Sequence, residues 1–126
     1  MSATIPFVQG DTRPPLQIFM STKKGDPVDV SDAQTIVLLK VRAQGSSVIK
    51  DTVTGTKVAG LLLPDGTIET TGAYAVPGAG GGVEFRWNPT TLDTPGSFEG
   101  EVEITFNDGT VQTVYAVTRF KVRPQF

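Results

Sequence analysis

Glu99, Glu101 and Glu103 occupy every second position of one segment, the spacing in this chain that most invites chemistry. On a strand, side chains two residues apart share a face about 6.6 Å apart, inside the carboxylate separation of inverting glycosidases. A catalytic acid and base also need surroundings that drive their pKa values apart. These three alternate with Phe98, Gly100, Val102, Ile104 and Phe106 and so form the polar face of an amphipathic strand. Equal solvation is expected there, serving solubility and protection of a sheet edge, with an acidic docking face as the lesser reading.

Asp26, Asp29 and Asp32 recur at every third position near a turn. Calcium favours clustered carboxylates, but this is not the spacing of an EF-hand loop, and Asp in such a place ordinarily bonds nearby backbone amides. The glycines of Pro77-Gly78-Ala79-Gly80-Gly81-Gly82 lack the lysine and the strand-to-helix context of a phosphate loop. They read as a flexible, exposed connection. The sequence holds no His and no Cys, which removes the Ser-His-Asp triad, the cysteine nucleophile and the usual zinc ligands. No catalytic, cofactor-binding or metal-ligating residue is assigned, and no cofactor is expected. In Gln9–Pro15 two prolines hold the chain extended and Arg13 offers a rigid fork for a carboxylate. That segment either closes one end of the domain or touches a neighbouring subunit.

The elements that must position these residues are short. The 126 residues suit one domain, and 14 Gly and 9 Pro with 38% apolar residues favour many strands and turns over long helices. Without cysteine, no disulfide supports the core and no oxidising compartment is implied. Met1–Pro6 has neither the basic nor the apolar region of a signal peptide, and no apolar run reaches membrane-spanning length, so a protein made in a cytoplasm is expected. Eleven basic against 13 acidic residues leave a net charge of −2, so nucleic acid is not an expected partner, and without a spanning apolar run neither is a membrane.

Phe98–Phe106 runs through Asn107-Asp108-Gly109-Thr110 into a second strand from Val111 to about Val122, a hairpin. Leu16, Ile18 and Met20 alternate with Gln17 and Ser21 and end at the turn Lys23–Pro27. Thr35–Arg42 suits a central strand with Val37, Leu39 and Val41 facing one way; helix is its rival, disfavoured by the short length. Val48-Ile49, Val58–Leu63 and Thr67–Val76 are plausible strands, separated by Thr54-Gly55 and Pro64-Asp65-Gly66, whose pairing over 46–82 is not legible. Val83, Phe85 and Trp87 alternate until Asn88-Pro89 ends their strand. Trp87 reads first as core and second as an interface anchor.

Four segments, in order, carry a resemblance: Gln9–Leu16, Gly25–Ala33, Val83–Pro89, and Asp93–Glu103 leading to Phe106-Asn107-Asp108-Gly109. Together they span about residues 7 to 123 and resemble the N-terminal domain of the phage baseplate upper protein family. The resemblance implies an immunoglobulin-like β-sandwich that docks in a tail baseplate or related part of a virion, and no enzymatic activity. Longer members continue into a linker that carries receptor-binding proteins, whereas this sequence stops at Phe126; decoration of a head, collar or tail surface is therefore a further expectation.

The expected fold is thus an all-β, immunoglobulin-like antiparallel sandwich of about seven to nine strands in a single domain spanning 1–126. Residues 1–7 are expected to form an N-terminal arm, 8–123 the sandwich and 124–126 a tail. The expected function is that of a non-enzymatic virion protein, multimeric in the particle and partnered by other phage structural proteins. Ile5, Phe7, Arg13 and Phe126 are the candidate interface residues. A carbohydrate-binding or adhesion module is the alternative, with Phe19 and Tyr74 as possible aromatic platforms, and an enzyme is the remote third reading.

Overall fold

The period-two stretches of the sequence become the long strands of the molecule, and Gly, Pro and Asp clusters turn the chain between them. The computed structural model describes residues 4–126. Its strands are β1 (Ile5–Val8), β2 (Leu16–Phe19), β3 (Ile36–Ala43), β4 (Ile49–Lys57), β5 (Leu61–Leu62), β6 (Ile68–Glu69), β7 (Gly82–Phe85), β8 (Gly96–Thr105), β9 (Val111–Thr113) and β10 (Thr118–Arg123). One turn of 3-10 helix spans Gly72–Ala75.

The main sheet runs in the order β1-β10-β8-β3-β4-β7-β2, with β9 also paired to β8 and β5-β6 forming a separate hairpin. All pairs are antiparallel except β1 with β10. The sheet curls at β4. Thr54 still pairs with Leu38 of β3, but Gly55 pairs with Phe85 of β7. A Cβ at Gly55 would overlap Val83 and stand 2.9 Å from the Phe85 ring, so the corner is open only to glycine. This residue pair, which reads as a turn in sequence, lies inside a strand.

Inward positions of the curled sheet converge on one core. Val37, Leu39 and Val41 of β3 do face one way, opposite Ile104, Val102 and Gly100 of β8. They meet Val83 and Phe85 of β7, Leu16 of β2 and the aromatic group Phe7, Trp87, Phe98 and Phe120. Each fully buried Val, Leu, Ile or Phe contributes about 1.5–3 kcal/mol. The β8–β9 hairpin forms as expected, with the Phe106 amide donating to the Thr110 carbonyl and Gly109 at φ 85°.

Three expectations are corrected. The N-terminal arm is a strand from Ile5 onward: β1 pairs with β10 in the register Ile5↔Phe120 to Val8↔Arg123. Phe7 is buried, edge-on to Trp87 at 5.1 Å and to Phe120 at 5.9 Å between ring centroids, because β10 offers both a hydrogen-bonding edge and an aromatic floor. Residues 1–3 lie outside the described range. The glycine run is not exposed: Gly78, Gly80, Gly81 and Gly82 are all buried. Its backbone bonds Met20, Val30 and Val58 at 2.9–3.1 Å, so small residues serve close passage of main chains rather than freedom. The strand expected from Val111 to Val122 is broken. Between the pairs Glu103↔Thr113 and Gly100↔Thr118, residues 114–117 oppose only 101–102, and the surplus bulges away from β8.

Candidate functional site

The glutamates of β8 do share the outward face, but not an edge, since β8 lies between β3 and β10. Nor are they solvated alike. Glu99 is 9% exposed and accepts from Arg42 at 2.7 Å; Glu103 accepts from Lys40 at 2.7 Å; Glu101 points to solvent. The edge-protecting role is therefore replaced by cross-strand ion pairing with β3.

Aspartates serve the turns. Asp29 accepts from the Ser31 amide at 2.9 Å, and hydrogen bonds from Ser31 hold its carboxyl below the usual range. Asp32 accepts from the Gln34 amide at 2.8 Å and from the Asn107 side chain at 3.2 Å. A polar cluster that the sequence did not announce ties β4 to the loop after β7. Asp51, the Thr91 hydroxyl and the Asn88 side-chain amide are hydrogen-bonded there, with Asn88 at 3.2 Å. Burial opposes ionisation of Asp51, but the bonds from Thr91, Asn88 and the Thr52 amide and the charge of Lys50 outweigh it and hold the carboxyl below its ordinary value.

Arg13 stands at the mouth of a cleft of about 490 Å³ with Thr12, Pro15, Glu84, Arg86 and Trp87. The β2–β7 ladder ends at the pair Leu16↔Phe85, and the β1–β2 loop runs on past it to border the cleft with Thr12, Arg13 and Pro15. The Trp87 indole N–H donates to the Pro14 carbonyl at 3.0 Å, anchoring the loop that carries Arg13. Trp87 itself is 4% exposed, which settles it as core.

Ile5 lines a different feature, an apolar groove of about 350 Å³ between the start of β10 and the free edge of β2. Leu16, Ile18, Val102, Val114, Ala116 and Val117 complete most of its lining. Val114, Ala116 and Val117 of the bulge line the groove, while Tyr115 between them stands wholly in solvent, 99% exposed. Comparison with family models, curated proteins and solved structures finds no match.

Of the expected interface residues, the structure therefore gives Ile5 to the groove, Arg13 to the cleft and Phe7 to the core, where it is not available to a partner. Phe126 is fully exposed, and Arg123 lies over its ring at 4.7 Å. The aromatic platforms expected for a glycan site are partly covered: Phe19 lies across Gly82, and Tyr74 is half-buried. Tyr115 was missed because its segment reads as continuous strand; the only signal is the loss of strict alternation over Val114-Tyr115-Ala116-Val117.

Proposed function

We propose that this chain is a non-enzymatic structural protein of a bacteriophage virion, a docking or decoration module of the tail baseplate, neck or head surface, built on an immunoglobulin-like sandwich. One observation carries the docking part of this reading: a fully exposed tyrosine on a bulge whose Val114, Ala116 and Val117 line an apolar groove beside the outer edge strand β2. Tyrosine is enriched among the residues that dominate protein interfaces, because it buries a large area at small entropic cost. The virion part rests on the four ordered segments that resemble the baseplate family. They fall on the β1–β2 loop, the turn after β2, β7 with Trp87, and β8, the framework that holds both groove and cleft. The first strand lying parallel to the last, and a corner strand joining two layers, are consistent with the immunoglobulin-like form.

Tyr115→Ser tests the reading. The side chain touches solvent only, so the thermal midpoint should stay within about 1 °C of wild type. Copies of the variant per purified particle, counted by quantitative mass spectrometry, should fall at least tenfold. Unchanged incorporation contradicts the groove as the docking surface, and saturable binding of the wild-type protein to a glycan panel, lost in Tyr115→Ser, replaces docking with adhesion.

A further inference from the structure

We infer that the cleft between the β1–β2 loop and β7 is a receptor for a single carboxylate, supplied by an aspartate or glutamate side chain of the partner; this rests on the docking reading. Two arginines, Arg13 and Arg86, line the cleft. Arg13 has no hydrogen-bonding or ionic partner among the described residues, and its loop is held by the bond from Trp87 to the Pro14 carbonyl. Arg86 gives its Nε–H to Glu84 at 3.0 Å, and its terminal amino groups, 78% exposed as a side chain, have no further partner among the described residues. The two arginines therefore border one cleft with most of their donors unspent, Arg86 directly after β7 and Arg13 on the loop tied to Trp87. Planar guanidinium donors match a carboxylate in bidentate fashion.

Charge decides among anions. Arg13 and Arg86 against Glu84 give the lining a net charge of +1, on a chain whose total is −2. A monoanion neutralises that site, whereas a phosphate dianion overshoots it and meets Glu84, and a nucleic-acid backbone meets the negative charge of the whole chain. Sugar stacking finds no platform there, because the Trp87 ring is buried and its N–H is already used.

The test is an NMR titration of the ¹⁵N-labelled protein at pH 7, following the Arg Nε–H signals and the Trp87 indole. The probes are a blocked Gly-Glu-Gly peptide, its Gln counterpart and inorganic phosphate. The glutamate peptide should shift the Arg13 and Arg86 signals saturably, and the glutamine peptide should not. Affinity should fall at least fivefold in Arg13→Gln and in Arg86→Gln, with the indole signal marking an intact loop. Glu84→Gln, which raises the lining to +2, should tighten binding severalfold, a gain that loss of folding cannot imitate. The inference is overturned by shifts that do not saturate, by wild-type affinity in either arginine variant, by weaker binding in Glu84→Gln, or by phosphate binding more tightly than the peptide. Failure here with normal incorporation into particles removes the cleft alone; peptide binding by a chain absent from particles removes the docking reading alone.

Discussion

Gly80→Ala sets two physical expectations against each other with opposite signs. In a flexible linker the substitution stabilises by about 0.4–1 kcal/mol, because alanine has fewer unfolded conformations to lose. In the packed passage of this fold, the new Cβ overlaps the Gly60 carbonyl oxygen and stands 2.8 Å from its carbon and 3.0 Å from the Leu61 Cα. All three are backbone atoms, and the Gly60 amide is itself bonded to the Tyr74 carbonyl at 2.8 Å, so no side chain can swing aside. Overpacking of this kind costs about 1–3 kcal/mol, and the rigid neighbours put Gly80 near the upper end. With 126 residues and an unfolding entropy of about 2.1 cal/mol/K per residue, 1 kcal/mol moves the midpoint by about 4 °C. Thermal unfolding followed by circular dichroism should therefore show Tm lower by about 12 °C. A midpoint equal to wild type or raised refutes close packing of the glycine run.

Phe7→Ala should cost about 3–5 kcal/mol in urea unfolding, since it removes a buried ring from the Trp87–Phe120 cluster; a cost below about 1 kcal/mol would restore the free arm. Asp51→Asn should lose about 1–3 kcal/mol at pH 7 by weakening the bonds from Thr91 and Asn88. The folded-state pKa of Asp51 lies below the ordinary 3.8, so this stabilisation is present above about pH 3.8 and disappears as pH falls through the lowered value. A wild-type advantage that persists at the acid end contradicts the assignment. A double-mutant cycle on Arg42→Ala and Glu99→Ala should give a coupling of about 0.2–1 kcal/mol, while Glu101→Gln stays within about 0.5 kcal/mol of wild type. A Glu101 effect larger than that coupling inverts the faces of β8.

Local patterning made the long strands legible. Phe98, Gly100, Val102 and Ile104 alternate without a break, and the core takes them as the pattern demands. Val37, Leu39 and Val41 likewise follow from β-branched residues at a two-residue period. What the sequence concealed is non-local. β1 exists because β10, more than a hundred residues away in the chain, supplies its edge, and nothing in Ile5–Val8 announces that pairing. The glycine run was legible as small residues, yet composition cannot distinguish freedom from close approach; only the neighbouring Gly60 and Met20 main chains do. Thr54-Gly55 carries turn chemistry but sits where β4 rounds the corner between layers. At the candidate sites, Arg13 was legible as a rigid fork for a carboxylate. Arg86 was visible only as an outward position, because it shares a cleft with Arg13 through the packing of the β1–β2 loop on Trp87, which lies 73 residues from Pro14 in the chain.

The proposed virion role is tested most directly by the number of copies of this chain in purified particles of the phage proposed to carry it, by quantitative mass spectrometry after a high-salt wash. The docking account predicts a fixed, reproducible copy number that resists the wash, since an apolar groove is little weakened by salt. Recovery of the chain only in the soluble lysate, with none in washed particles, contradicts it.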